Sequence, residues 1–416
     1  MRRAAWRSAV VRTAFTAGAL VVGTLTACRG ESPNPATAMP RAEFLFAAGD
    51  STYWVHASAD GLRLRSAPIL LTQVDGRLFE VFLSDDGAEY ADASFATSQL
   101  WARALGGRDS VRLFGDSTVL TEMRAWRKAH PNEAEIDPSD EQLEDDPRTL
   151  VQDEIEILDV HGPYLTFEHL LNLDIEGGRP HRHEGRRFVV DVRSGRIASV
   201  ADLLGGREAT RVIADAQQSL SRLTDSIRSA GRSGDERAAA AVETLDSFVF
   251  DSSSFGITDL DREPAIAFMV PGKSTEGEAL ALHLPPLAVA APAWWSAVRA
   301  TLPTWTSDSS RVRWTRGRYE VAARPSAEGD ALALVLVGSG AKAREWPVAT
   351  VGAPAYQLIA LDDPPLDSAG RSALARAFDV SASLDGLAQR ARYQAPDLSA
   401  ATTRRAAVRF IRVRHD

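Results

Sequence analysis

The chain of 416 residues is 44% hydrophobic and 25% charged, a globular composition with apolar material for two or three cores of ordinary domain size, which excludes a disordered or collagen-like chain. Its formal charge is −9, and its 47 basic residues include only three lysines, Lys128, Lys273 and Lys342. An acidic chain is a poor general binder of nucleic acid, and a single cysteine, Cys28, excludes both an internal disulfide framework and a cysteine-built zinc centre.

The first residues carry Arg2, Arg3, Arg7 and Arg12 without an acid, followed by an apolar stretch from Ala14 to Leu25. That is the order of an export signal, and the stretch falls short of the roughly twenty residues a helix needs to cross a bilayer. Leu25-Thr26-Ala27-Cys28 resembles the bacterial lipobox, in which small residues precede a cysteine that is acylated and becomes the new N-terminus. The resemblance implies a signal peptide over residues 1–27, lipidation of Cys28, a membrane as partner and a tether over residues 28–41, rich in Pro, Ser, Ala and Thr. Removal of residues 1–27 takes away four arginines and no acid, which moves the formal charge from −9 to −13. Arg29, in place of an aspartate after the cysteine, implies the periplasmic side of the outer membrane over the inner membrane.

The mature chain reads as α+β, with antiparallel sheets, one long helix in a middle unit, and β-rich N-terminal and C-terminal parts. Residues 42–130 show short strands, among them Tyr53 to His56, Leu62 to Arg65, Ile69 to Thr72 and Leu78 to Leu83, with Asp75-Gly76 and Asp86-Gly87 as hairpin formers. Thr118 to His130 reads as a strand end and a short helix. Residues 131–147 hold eight acids and no Lys or Arg, a solvated linker without the D-x-D-x-D-G spacing of a calcium loop. Residues 148–290 form the middle unit, with strands Glu154 to Val160, Tyr164 to Ile175 and Arg187 to Val192, then Ile197 to Leu204. A helical stretch runs from Arg207 to about Leu245, its apolar face marked by Val212, Ile213, Ala216, Leu220 and Leu223. Phe248 to Phe250, Ala265 to Val270 and Ala279 to Leu284 return to strand. Residues 291–416 form a last β-rich domain, with Trp294-Trp295 on a short helix, strands from Arg311 to Leu361, a helix from Asp367 to Phe378 capped by Asp367, and a terminal edge strand over Ala407 to Arg414.

Within the middle unit, Gly177, Gly178 and His181, then Asp191, Ser194, Gly195 and Arg196, then Asp202, Leu203 and Leu204 follow a strand, turn, strand, turn, helix-start order. This order resembles the extracytoplasmic domain found at the C-terminus of the lysozyme-sensing anti-sigma factor RsiV and beside the catalytic domain of the peptidoglycan deacetylase PdaC. One extra residue between the glycines and the histidine makes His181 and His183 both counterparts of the family histidine. Phe255 to Asp261 lacks the family's aromatic Pro-Tyr pattern. The resemblance spans about a third of the chain and implies an envelope domain that binds something, or is fused to something that acts.

His161, His169, His181 and His183 are the one histidine cluster in the sequence. His181-Arg-His183 on a strand would place two imidazoles on one side, and Glu184 or Glu168 would add a carboxylate, although no catalytic spacing such as H-E-x-x-H occurs. A pair that stabilises a turn is the plainer reading. Trp294, Trp295, Trp305, Trp314 and Trp346 are either core or exposed rings that stack on sugars. Val270 to Thr275 lacks the first glycine of a phosphate loop, and Ser339 to Lys342 has no companion motif of a serine acyl-enzyme. The sequence therefore reads as a non-catalytic envelope module without a cofactor, binding a wall glycan or an envelope protein. Its candidate contacts are His181, His183, Gly177, Gly178, Trp294, Trp295, Trp314 and Trp346, and the second reading is a metal-dependent hydrolase built on His181 and His183.

Overall fold

The computed structural model describes residues 41–48, 51–58, 60–67, 69–136, 149–175, 182–233, 242, 244–260, 263–272, 281–299, 304–305, 312–316, 319–325, 332–337, 345–351, 355–361 and 366–383. The expected signal segment with Cys28, the expected tether, the acidic run over 137–148 and the expected terminal strand over residues 407–414 lie outside them, as do Gly177, Gly178 and His181. In chain order come β1 (Ala42–Ala48), β2 (Ser51–Ser58), β3 (Gly61–Ala67), β4 (Leu70–Val74), β5 (Arg77–Tyr90), β6 (Ala93–Ala104), β7 (Val111–Gly115) and α1 (Thr118–Ala129). Then follow β8 (Thr149–His161), β9 (Tyr164–Asp174), β10 (Arg182–Asp191), β11 (Arg196–Ile197), α2 (Val200–Leu204) and α3 (Gly206–Arg232). The remainder is β12 (Phe255–Leu260), β13 (Glu263–Pro271), β14 (Ala281–His283), β15 (Leu287–Ala288), α4 (Trp295–Arg299), β16 (Thr304–Trp305), β17 (Val312–Arg316), β18 (Tyr319–Pro325), β19 (Leu332–Val337), β20 (Glu345–Val351), β21 (Ala355–Ala360) and α5 (Ser368–Ser383). The fold is α+β and mostly strand.

Two strand pairings cross the boundaries expected from the sequence. β21 adds antiparallel to β1 in the order β21-β1-β2-β3, so the C-terminal part completes the first sheet. The second sheet runs β11-β10-β9-β8-β6-β5-β4, with β7 also on β6, and it joins the N-terminal strands to the middle unit through a parallel β6–β8 contact. Groups of buried apolar side chains fill the spaces. Phe44, Phe46 and Val55 pack with Val321, Leu336, Val348 and Leu358. Leu45, Trp54 and Ile359 pack under Leu374 and Phe378 of α5. Val212 and Ala216 of α3 pack on Phe255, Ile266, Phe268 and Trp295, and Ile213, Leu220 and Leu223 flank them, which is the face the helical spacing marks.

Local chemistry explains most of the strand ends. Asp75 (φ 50°) and Gly76 (φ 77°) take the left-handed conformations of a two-residue hairpin, with Val74 opposite Arg77. Asp86-Gly87, by contrast, is not a turn. β5 runs through it to Tyr90, and the chain reverses at Ala91 and Asp92 instead. Gly87 lies opposite Ala96, and a Cβ there would stand 2.4 Å from the Phe95 carbonyl oxygen, so the glycine serves a close approach of backbones. In β8 the inward phase Val151, Asp153, Ile155 and Ile157 is shifted by an irregularity between Ile157 and Asp159. Val160 stays with the Ile155 and Ile157 core as a result, and His161 turns to Trp295. Asp367 caps α5, its Oδ1 accepting from the Gly370 N–H at 2.6 Å. Phe248 to Phe250 forms no strand; Val249 is 61% exposed while Phe250 packs on Phe268.

Candidate functional site

The segment that carries the family resemblance is built around β9 and β10. Beyond β10, the Asp191-Val192-Arg193-Ser194-Gly195 turn closes on the Asp191 carbonyl, which accepts from the N–H groups of Ser194 (3.2 Å) and Gly195 (2.8 Å), and Gly195 takes φ 69°. Asp191 Oδ1 accepts from the Arg193 N–H, and its two carboxylate oxygens grip the Arg193 guanidinium at 2.9 and 2.7 Å. Burial pushes this carboxyl up, but the hydrogen bonds from Arg193 outweigh it and hold the group below the usual carboxylate range. Ser199 and Asp202 then form a reciprocal capping box that starts α2.

His183 is buried at 7% exposure. It stands opposite Asn172 in the β9–β10 ladder, with Nδ1 3.0 Å from Asn172 Oδ1 and Nε2 3.3 Å from Asp174 Oδ1. Both ring nitrogens are thus engaged by β9. Strand alternation disperses the other histidines. His169 differs from Asn172 by an odd number of positions and points to the opposite face of the sheet. His161 lies at the far end of β8, 2% exposed by side chain, its ring stacked at 5.4 Å and 21° on Trp295. Among the described residues no three His, Cys, Asp or Glu side chains converge as a metal would require.

The tryptophans nominated for sugar stacking divide in the same way. Trp295 is 1% exposed. Trp294 donates its Nε1–H to the Leu203 carbonyl at 3.2 Å and meets Tyr164 and Trp295 edge-on at 4.9 and 5.5 Å. Trp295 belongs to the core under α3 and offers no ring face to a sugar, whereas Trp294 is half-buried against that core, where its N–H finds a carbonyl. Trp314 stands in β17 opposite Val321 and Trp346 in β20 opposite Leu336.

A polar group that the sequence reading passed over lies where β6 parts from β8. β8 follows β6 only from Ala93 to Ala96, and β7 takes up the same edge from Gln99 onward. In the gap between them the Asp153 side chain, 0% exposed, replaces a strand: its Oδ1 accepts from the Ser98 N–H at 2.6 Å and its Oδ2 from Thr97 Oγ1 at 3.0 Å. His169 Nε2 stands 3.6 Å from Asp153 Oδ2, with Phe114 4.9 Å from the imidazole. Asp116, just before α1, accepts from the Thr118 N–H and Oγ1 at 2.8 and 2.7 Å. Burial raises its carboxyl, yet the Thr118 bonds and the field of His169 bring it below its ordinary value. The sequence signal for this group was an acid and a histidine in the inward phase of two alternating strands.

A pocket of about 330 Å³ is lined by Leu78, Leu105, Ile359 and Leu361, with Arg77 and Asp367 among its polar groups. Compared with known proteins, the chain matches no family model and no curated protein.

Proposed function

We propose that this chain is a lipid-anchored, non-catalytic binding module of the bacterial cell envelope. It is held through Cys28 on the periplasmic side of the outer membrane and recognises a wall glycan or an envelope protein through the domain that resembles those of RsiV and PdaC. What supports the binding-module reading is the separation of the histidines among the described residues. His183 is spanned between Asn172 and Asp174, His169 faces Asp153 on the other side of the sheet, and His161 stacks on Trp295. A hydrolytic centre needs such groups convergent on one reacting atom. The turn after β10 and the capping box at Ser199 support the resemblance, since they supply the local geometry that its motif residues imply.

The test is retention of the chain, with Cys28→Ser and without residues 1–27, on purified peptidoglycan sacculi, with elemental analysis of the same preparation. Saturable retention without stoichiometric metal is the expected result. Stoichiometric zinc that is lost in a His181→Ala/His183→Ala variant would overturn it in favour of a metal-dependent hydrolase.

A further inference from the structure

The pocket of about 330 Å³ takes its lining from four separate stretches of chain: the β4–β5 hairpin, the end of β6, the end of β21 and the segment that starts α5. Its apolar floor is Leu78, Ile359 and Leu361, all buried, with Leu105 and Leu366 half-buried beside them. These side chains pack with Leu374 and Phe378, so the pocket opens onto that core. Main-chain bonds fix its sides. The Leu105 N–H donates to the Leu78 carbonyl at 2.8 Å, and the Leu366 N–H donates to the Leu361 carbonyl at 3.1 Å, which suits a site formed before its ligand arrives.

Two opposite charges stand in the lining. Arg77 is exposed, and among the described residues its guanidinium meets no acid: Asp75, on the same hairpin, is directed instead to Arg193 at 3.4 Å. Asp367 is also exposed, and its Oδ1 is engaged by the Gly370 N–H. The neighbouring cation Arg371 pairs with Glu43 at 2.7 Å, which leaves Asp367 Oδ2 without a cation among the described residues. Gly76 puts no side chain before Arg77, and a Cβ there would meet only open space. A ligand with a carboxylate alone would match Arg77 but meet Asp367 as a like charge, and a simple amine would do the reverse. A ligand that carries both charges on an apolar body satisfies every part of the lining. The volume stands at the small end of the roughly 300–1,000 Å³ of small-molecule pockets, room for about two amino-acid residues.

We propose that this pocket binds a short zwitterionic peptide with apolar side chains. Its carboxylate pairs with the Arg77 guanidinium, its ammonium with the Asp367 carboxylate, and its side chains cover Leu78, Ile359 and Leu361. The site lies outside the β9–β10 segment and needs no lipid at Cys28, so it goes beyond the function proposed above and stands or falls separately from it.

The test is isothermal titration of L-leucyl-L-leucine into the chain with Cys28→Ser and without residues 1–27. Saturable binding of one equivalent is expected, and no measurable binding of glycyl-glycine, which leaves the apolar floor uncovered. Arg77→Gln and Asp367→Asn should each weaken binding roughly tenfold, the loss of one charge-assisted hydrogen bond. Both side chains are exposed and asparagine still caps a helix, so the fold should be retained, which circular dichroism checks. Two modified peptides assign the contacts. N-acetyl-leucyl-leucine, without the ammonium, should bind roughly tenfold more weakly and be indifferent to Asp367→Asn. Leucyl-leucinamide, without the carboxylate, should be indifferent to Arg77→Gln. Absence of leucyl-leucine binding, equal affinity for glycyl-glycine, either variant binding as the parent does, or an N-acetyl form bound as tightly as the free peptide would each overturn the proposal.

Discussion

Asp153 shows how one side chain can stand in for a strand. With β8 leaving β6 after Gln152, the Ser98 N–H and Thr97 Oγ1 lose their neighbour, and a buried donor without an acceptor costs about 1–3 kcal/mol. The carboxylate supplies both acceptors. We expect Asp153→Ala to lower stability by roughly 3 kcal/mol, and Thr97→Val by about 1, in urea denaturation with unchanged slope. An Asp153→Ala midpoint within error of the parent would mean the fork closes without it. Two other carboxyls respond to pH with opposite sign. Burial raises Glu89, with partial relief from the Ser94 hydroxyl. Its ionised form is thus penalised in the fold above its unfolded value, and Glu89→Gln should raise the melting temperature at neutral pH, a gain that fades as the pH falls through the carboxylate range. Asp191 is held low, so its contribution is present above its unfolded value and lost as the pH falls through the folded one. Asp191→Asn should therefore cost stability at neutral pH and progressively less in acid. Melting curves of both variants across pH would expose an error of sign in either.

At the scale of elements, two glycines of the β4–β5–β6 meander act for different reasons. Gly76 has open space around a Cβ but a φ of 77°, so Gly76→Ala should cost about 1 kcal/mol from backbone strain alone. Gly87 has ordinary dihedral freedom, but a Cβ would meet the Phe95 carbonyl oxygen at 2.4 Å. Gly87→Ala should cost more, roughly 1–3 kcal/mol, because the β5–β6 ladder itself has to part. Denaturation midpoints that reverse this order would show that the ladder yields more readily than the turn. The pair also marks the limit of turn signals. Asp75-Gly76 and Asp86-Gly87 are alike as dipeptides, and only the pairing of β5 with β6 through Gly87 separates a hairpin from a continuous strand.

Across the whole molecule, the chain closes on itself through β21 and α5. β21 pairs with β1 from Phe44 to Ala48, and Leu374 and Phe378 of α5 cover Leu45 and Trp54. A chain ending at residue 354 would leave β1 as an exposed edge and open an apolar face, the kind of surface that binds other chains. We expect such a truncation to bind a hydrophobic dye and to lose a single cooperative unfolding transition, while restoration of residues 355–383 recovers both. A cooperative, dye-silent truncation would show that the N-terminal strands fold on their own.

The sequence by itself determined the local chemistry: the helix face of α3 through its three- and four-residue spacing, the Asp75-Gly76 hairpin, the Asp367 cap, and the strand character of β2, β8, β9 and β13. These follow from interactions within a few residues, which spacing and residue type encode directly. The tertiary structure decided which strands become neighbours and, through that, what each polar residue does. Strand alternation sent His169 and His183 to opposite faces, the irregularity in β8 turned His161 onto Trp295, and the split of β7 and β8 along β6 made Asp153 a buried acceptor. The partner in each case lies tens to hundreds of positions away, and pairing over such distances depends on loop closure and on the shared burial of apolar faces, for which a single sequence carries no local mark.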